Sequence, residues 1–228
     1  MKKLTFYFDF ISPYAYLAWT QIHALAARHA CEVVPRPILF AALLDANGQK
    51  GPAEIPSKRI YTFKDTVRSA ARLGVPLAAP ASHPFNPLLS LRVASADVDA
   101  ERRRMLIDAL FVATWVRSVD VTDAKNVAEV VQGAGLDGQA LVDWANSADA
   151  KERVKKTTAE ALEAGVFGVP TVKVEGELFW GLDSLANLEQ LLGGRDPLKG
   201  GSYGAWAKVV PSAIRPGGRD ADRGRKDG

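Results

Sequence analysis

The chain carries strand-like segments near both of its ends, and about 120 residues of mostly helical periodicity lie between them. Residues 4–10 are apolar, aromatic and followed by a turn signal, so they predict a buried strand. Residues 14–29 predict a helix and residues 32–39 a second strand, whose prolines favour an edge of the sheet or an irregular end of the strand. The beginning of the chain therefore predicts a β-α-β unit.

Strand patterns return at residues 170–174 and 178–180, and a Glu175-Gly176 turn predicts that these two strands form a hairpin. Residues 183–192 then predict a helix, which Gly193-Gly194 ends. The two ends are too small to be stable alone, so they predict one α/β sheet completed across the helical block. A separate helical domain is the alternative, and it is disfavoured for the same reason.

The block between the two ends predicts a series of helices joined by Gly/Pro-rich connections. These helices are predicted over residues 40–46, 57–73, 88–97, 99–119, 123–133, 137–146 and 149–164. The predicted organisation is a discontinuous sheet domain (residues 1–39 and 163–194), an inserted helical domain (40–162) and a C-terminal extension (195–228). The end of the extension is rich in Gly, Arg and Asp, which predicts disorder.

Composition excludes several classes of protein. Of the 228 residues, 47% are hydrophobic, which is enough for a sizeable core without disulfides. Cys31 is the single cysteine, so a disulfide or Cys-x-x-Cys pair within the chain is excluded, and the three histidines lack zinc-site spacing. A net charge of +3 is too small to predict nucleic-acid binding, and no apolar stretch predicts a membrane span. The absence of a signal-peptide pattern predicts a cytoplasmic enzyme or binding protein, without a metal.

Ser12-Pro13 stands where the first strand gives way to a helix, and this pair is typical of a helix start. Backbone N–H groups and the helix dipole at such a point favour an anion. A hydroxyl there can donate a hydrogen bond to a bound thiolate and lower its pKa. A simple N-cap is the alternative interpretation of Ser12.

Gly168-Val169-Pro170-Thr171 precedes the third strand. A cis bond between Val169 and Pro170 would expose the backbone of Val169 to an extended peptide ligand. Most bonds before proline are trans, so an ordinary strand entry is the alternative.

Trp180-Gly181-Leu182-Asp183-Ser184 joins the last strand to its helix, with Asp183 and Ser184 predicted at the N-cap. Exposed N–H groups there could bind a carboxylate while Asp183 binds an ammonium group, and a plain cap is the alternative.

The loop at residues 48–59 carries Gln49, Lys58 and Arg59, which could hold anionic groups beside a pocket. Solvated surface charge is the alternative for these cations. His83 is either a polar pocket residue or a structural histidine, and Cys31 is interpreted as a small buried hydrophobe.

Four segments together resemble one known family. Residues 6–18 (FYFDFISPYAYLA) are similar to the opening of the 2-hydroxychromene-2-carboxylate isomerases, which are related to kappa-class glutathione transferases. Residues 165–171, 179–183 and 51–58 resemble further segments of this family, in the right order, so the resemblance covers residues 4–193. It implies a thioredoxin-like fold with a large all-helical insertion, of the DsbA and kappa glutathione transferase type. The sheet domain would then be the thioredoxin-like domain.

The resemblance implies glutathione as the cofactor, with Ser12 donating to its sulfur as the catalytic residue and Val169 pairing with its cysteinyl backbone. It implies that Asp183 and Ser184 meet the γ-glutamyl end and Lys58 the glycine carboxylate. The implied glutathione-binding residues are Ser12, Pro13, Tyr14, Gln49, Lys58, Val169, Pro170, Leu182, Asp183 and Ser184. The residues expected to contact the substrate are Asn47, Arg59, His83 and Asn86. Gln49 and Ser184 are departures, since relatives often carry asparagine and arginine there.

The implied function is a glutathione-dependent isomerase of aromatic catabolism, in which a thiolate adds transiently to a conjugated substrate. The expected partners are glutathione, an aromatic small molecule and a second copy of the chain in a homodimer. A kappa-like glutathione transferase and a non-catalytic thioredoxin-fold binding protein are the alternatives. The missing cysteine pair argues against a disulfide oxidoreductase.

Overall fold

The computed structural model describes residues 1–201 and 203–213. The elements at the two ends are β1 (Lys2–Phe8), α1 (Pro13–Arg28), β2 (Cys31–Pro37), β3 (Thr171–Val174), β4 (Glu177–Trp180) and α9 (Leu185–Leu192). Between them lie α2 (Phe40–Ala46), α3 (Pro56–Leu73), α4 (Leu88–Ala94), α5 (Ala100–Trp115), α6 (Ala124–Gly133), α7 (Gly138–Ala145) and α8 (Ala148–Glu163). Short 3₁₀ turns occur at Pro52–Glu54, Pro197–Gly200 and Trp206–Lys208. The predicted disorder of the chain's end concerns residues 214–228, which lie outside the described residues, and the domain boundaries stay predictions.

One four-stranded sheet unites the two ends of the chain in the order β2-β1-β3-β4. β1 is parallel to β2 and antiparallel to β3, and β3 is antiparallel to β4. The completion of the sheet across the helical block and the edge position of the proline-containing β2 are therefore confirmed. The predicted hairpin is also confirmed, with Glu175 and Gly176 at φ values of 51° and 91°.

Several predicted elements are shorter in the structure, and three of them end early for a visible reason. β1 ends at Phe8 rather than at residue 10, because the side chain of Asp9 binds the following backbone and turns the chain. α5 ends at Trp115 rather than at residue 119, since Ser118 adopts a φ of 55° that a helix cannot contain. α4 ends at Ala94, where the hydroxyl of Ser95 donates to a carbonyl of the last turn.

Side chains cover both faces of the sheet, which explains why β1 is apolar at successive positions. On one face, Phe6 and Phe8 are fully buried against Trp19 of α1 and Phe111 of α5. On the other face, Tyr7 packs in a smaller cluster with residues of α2, α8 and the segment before β3. The helical block thus contributes side chains to the core of the sheet. Cys31 is buried and free, as predicted.

The helices α6 and α7 approach each other at Gly138. A Cβ atom at this position would lie 2.0 Å from the carbonyl oxygen of Ala128, which belongs to the backbone of α6. Among the described helices, none is long and apolar enough to cross a membrane.

Replacing Gly138 with alanine should lower the free energy of unfolding by about 3 kcal/mol, because the two helix backbones must separate. Urea unfolding followed by circular dichroism measures this change. Gly133→Ala is the matched control, since a Cβ there meets nothing within 4 Å, and it should leave stability unchanged or slightly raised. Equal effects of the two substitutions would contradict the close approach.

Candidate functional site

Ser12 is the N-cap of α1, as predicted, and Pro13 is the first residue of that helix. Its Oγ accepts a hydrogen bond from the N–H of Ala15 at 3.2 Å, and its own N–H donates to the carbonyl of Asp9 at 3.1 Å. The side chain is almost fully buried. Within the described part of the chain, the hydroxyl proton of Ser12 has no acceptor, so it is available to a ligand.

Two side chains from the helical block bind the carbonyl groups just before Ser12. The indole Nε1–H of Trp115 donates to the carbonyl of Phe10 at 3.0 Å, and Nε2 of His83 lies 3.0 Å from the carbonyl oxygen of Ile11. Because a carbonyl oxygen only accepts, this contact requires the proton on Nε2 of His83. The sequence left His83 as either a polar pocket residue or a structural histidine, and it gave no indication of this backbone partner.

Asp9 is a buried carboxylate at the end of β1 that sequence analysis missed. Its Oδ1 accepts from the N–H of Ile11 at 3.1 Å and its Oδ2 from the N–H of Phe40 at 2.9 Å. It therefore links the β1–α1 connection to the first residue of α2. Burial raises the pKa of Asp9 to about 7, although its backbone hydrogen bonds oppose this shift. The only sequence signal was a charged residue inside an apolar aromatic run.

The pKa of Asp9 predicts how stability depends on pH. The folded state binds the Asp9 proton more tightly than the unfolded state, so the free energy of unfolding should fall as pH rises from about 4 to about 7. At its steepest, this fall is about 1.4 kcal/mol per pH unit. Urea unfolding at a series of pH values measures it. Asp9→Asn should remove this component while lowering stability, and an unchanged pH profile in the variant would show that Asp9 is not its source.

Val169 and Pro170 are joined by a cis peptide bond, as the peptide-binding interpretation requires. β3 pairs with β1 so that Thr171 lies opposite Tyr7, and continuing this register brings Pro170 beside Phe8, at the end of β1. The side chain of Val169 is buried. Its backbone N–H and carbonyl have no hydrogen-bond partner among residues 1–201 and 203–213.

The segment after β4 lies beside this cis-proline, because the N–H of Gly181 donates to the carbonyl of Pro170 at 2.9 Å. Ser184 is the N-cap residue of α9, but its hydroxyl donates to the carbonyl of Gly181 at 2.8 Å and makes no cap bond. The predicted cap by Asp183 is wrong, since its exposed carboxylate binds no helix N–H. The backbone N–H groups of Leu182, Asp183 and Ser184 lack acceptors within the described residues.

Tyr14 connects the first turn of α1 to α3. Its hydroxyl donates to Oδ2 of Asp65 at 2.7 Å, and burial together with this carboxylate raises the pKa of Tyr14. The first turn of α3 carries Lys58 and Arg59, both exposed. Burial lowers the pKa of His83, and the charge of Arg59 lowers it further. The helix α3 therefore brings a cation close to the connection between β1 and α1.

The remaining predicted residues lie at exposed positions. The amide of Asn47 donates to the carbonyl of Leu43 at 2.7 Å at the end of α2, and Oδ1 of Asn86 accepts from the N–H of Leu88 at 3.0 Å. The side chain of Gln49 is exposed in the loop between α2 and α3. The structure gives the two asparagines local backbone partners, and contacts of all three residues with a ligand stay predictions.

Comparisons with known proteins agree with this architecture. The model of the DSBA-like thioredoxin domain matches residues 3–193. The 2-hydroxychromene-2-carboxylate isomerase of Sphingobium xenophagum is 32% identical over 84% of this chain and 98% of its own length. Kappa 1 glutathione S-transferase of Homo sapiens is 24% identical over 93% of this chain and 96% of its own length.

A solved structure of 2-hydroxychromene-2-carboxylate isomerase superposes with a TM-score of 0.79 at 28% identity, and covers 87% of this chain and 98% of that protein. The cytosolic disulfide reductase DsbM of Pseudomonas aeruginosa, solved with GSH, shares the fold at 15% identity and a TM-score of 0.58, over 87% and 98% of the two chains. The family assignment rests on the domain model and on the 32% identity to the Sphingobium xenophagum isomerase over most of both chains, and the superposition agrees with it. The chain belongs to the 2-hydroxychromene-2-carboxylate isomerase family of enzymes, within the DsbA-like thioredoxin domains.

Proposed function

We propose that the protein is a glutathione-dependent isomerase that acts on an aromatic compound of the 2-hydroxychromene-2-carboxylate type in aromatic catabolism. The reaction interconverts a cyclic hemiketal carboxylate and an open-chain ortho-hydroxybenzylidenepyruvate. The observation that carries the proposal is the pair of free backbone groups on Val169, next to the β1–α1 connection whose Ser12 hydroxyl has an unassigned proton. A peptide that pairs with the backbone of Val169 would place its thiol close to the hydroxyl of Ser12.

The free polar groups of the site match glutathione, which is a tripeptide with a thiol and two carboxylates. The N–H and carbonyl of Val169 can pair with the cysteinyl backbone in the manner of an added strand. The free N–H groups of Leu182, Asp183 and Ser184, just before α9, suit the γ-glutamyl carboxylate, and the carboxylate of Asp183 suits its ammonium group. Lys58 is assigned to the glycine carboxylate.

Ser12 stabilises a negative charge on the bound sulfur. Its hydroxyl donates to the sulfur, while the N-terminal end of α1 supplies a favourable dipole. Each unit by which these groups lower a thiol pKa corresponds to about 1.4 kcal/mol. Glutathione supplies a nucleophile that adds to a conjugated carbon and later leaves, so a double bond can rotate as a single bond in between.

The substrate is assigned to the side of the site where α3 lies beside the first turn of α1. Arg59, together with Asn47, would meet the substrate carboxylate. Asn86 would meet the phenol, since Nε2 of His83 binds the carbonyl of Ile11 and its Nδ1 is buried. A cytoplasmic location suits this chemistry, since it requires reduced glutathione.

A kappa-like glutathione transferase is the second candidate, and its support is the similarity to the human kappa 1 enzyme over most of both chains. The two activities use the same thiolate and differ in whether the sulfur leaves the product. Conjugation of chlorodinitrobenzene without isomerisation would favour the transferase.

We also propose that two copies of the chain associate. The helix α3 exposes Ile60, Tyr61 and Val67, which are 57%, 63% and 59% exposed, so an apolar face is available for subunit contact. Light scattering should give twice the chain mass of 24.6 kDa. Replacing Ile60 and Val67 with serine should lower the mass to that of one chain, and a wild-type monomer would contradict the association.

Ser12→Ala should lower glutathione-dependent turnover at neutral pH about tenfold, because the bound sulfur loses its hydroxyl donor. The substitution should cost about 1 kcal/mol of stability from the lost cap. Initial rates of isomerisation and urea unfolding measure the two effects.

Ser147→Ala is the matched control, since Oγ of Ser147 accepts from the N–H of Ala150 at 3.2 Å, the distance found at Ser12. It should lose similar stability and keep full turnover. Full turnover in Ser12→Ala would show that Ser12 is only a helix cap.

Calorimetric titration with glutathione tests the proposal as a whole, and the absence of binding would favour a non-catalytic binding protein.

A further inference from the structure

We infer that His83 is a positioning residue, which orients the hydroxyl of Ser12 by holding the peptide group that joins Ile11 to Ser12. This inference rests on the proposed function of Ser12. It gives His83 a role in the site that does not require contact with the substrate.

The peptide group between Ile11 and Ser12 is held at both of its ends. Nε2 of His83 lies 3.0 Å from the carbonyl oxygen of Ile11, and the N–H of Ser12 donates to the carbonyl of Asp9 at 3.1 Å. A peptide group is planar, so two such contacts fix its orientation and with it the direction in which the side chain of Ser12 leaves the backbone. Without the first contact, the plane is held only from within its own turn.

Aromatic rings enclose the imidazole of His83. Its ring lies 5.2 Å from that of Phe63, 6.4 Å from that of Phe85 and 5.9 Å from that of Trp115, measured between ring centres. Its Nδ1 is buried and has no hydrogen-bond partner within the described chain. Since one nitrogen binds the backbone and the other is enclosed, the geometry favours a fixed donor over a substrate contact.

The charge state of His83 supports this role. Burial and the nearby charge of Arg59 lower the pKa of His83, and the hydrogen bond to Ile11 opposes this shift without reversing it. A neutral ring with its proton on Nε2 donates to the carbonyl throughout the range in which a thiol titrates. The contact is therefore constant rather than a switch.

The substitutions His83→Leu and His83→Gln separate the hydrogen bond from the volume of the ring. Leucine removes the donor, whereas the amide of glutamine can donate from a position near Nε2. With glutathione bound, the thiolate absorbance is titrated against pH. The thiolate fraction at neutral pH should fall about fivefold in His83→Leu and recover in His83→Gln. Circular dichroism checks that both variants fold.

Amide hydrogen exchange in the protein without glutathione provides a second measurement. The N–H groups of Ser12 and Ala15 should exchange faster in His83→Leu than in the wild type, and glutamine should reverse the change. Ser118→Ala is the control. The hydroxyl of Ser118 donates to the carbonyl of Ala79 at 2.6 Å, and Ala79 lies in the same connection between α3 and α4 as His83. It should alter neither measurement.

The outcomes distinguish this inference from the proposed function. A wild-type protein that does not bind glutathione or lower its thiol pKa overturns the proposed function, and with it the catalytic meaning of His83. A wild type that lowers the thiol pKa, together with an unchanged titration in His83→Leu, overturns the positioning role alone. Unchanged exchange at Ser12 and Ala15 overturns the orienting contact itself.

Discussion

The carboxylate of Asp9 is the contact on which the geometry of the site depends. The carboxylate accepts hydrogen bonds from one N–H in the connection between β1 and α1 and from another at the start of α2. The backbone carbonyl of Asp9 accepts a third, from the N–H of Ser12. A buried acid is costly unless it is hydrogen-bonded or protonated, and here the cost appears as a pKa near 7. Asp9 lies where β1, α1 and the helical block meet. Its hydrogen bonds to Ile11, Ser12 and Phe40 give the turn that carries Ser12 a defined shape.

The helical block contributes to the site as well as to the core. Phe111 packs against the aromatic side chains of β1, so the sheet is completed by residues far away in the sequence. Trp115 and His83 bind the two carbonyls that precede Ser12. An unpaired carbonyl in such a dry environment would cost about 1–3 kcal/mol, and these two donors avoid that cost. Removal of the block would therefore alter the site even if the sheet survived.

Local signals predicted much of this structure. The Ser12 cap, the Glu175-Gly176 hairpin and the edge position of β2 each follow from residues that are adjacent in sequence. The hydrogen bonds that hold the site could not be predicted in this way, since His83 and Ile11 are 72 positions apart and Trp115 and Phe10 are 105 apart. The cap expected at Asp183 failed for a related reason: the hydroxyl of Ser184 binds the carbonyl of Gly181, which β4 has already positioned beside Pro170.

Polar groups of the site that have a partner inside the protein hold its shape, whereas those without one are available to a ligand. The carbonyls of Asp9, Phe10 and Ile11 all have donors inside the protein, so they hold the turn and offer little to a ligand. The backbone of Val169 and the N–H groups of Leu182, Asp183 and Ser184, just before α9, have no partner within the described residues. Water can pair with these groups, and so can a ligand that offers a peptide backbone and a carboxylate. A ligand of this kind that also carries a thiol, as proposed for glutathione, would bring its sulfur to a hydroxyl whose position the protein already fixes.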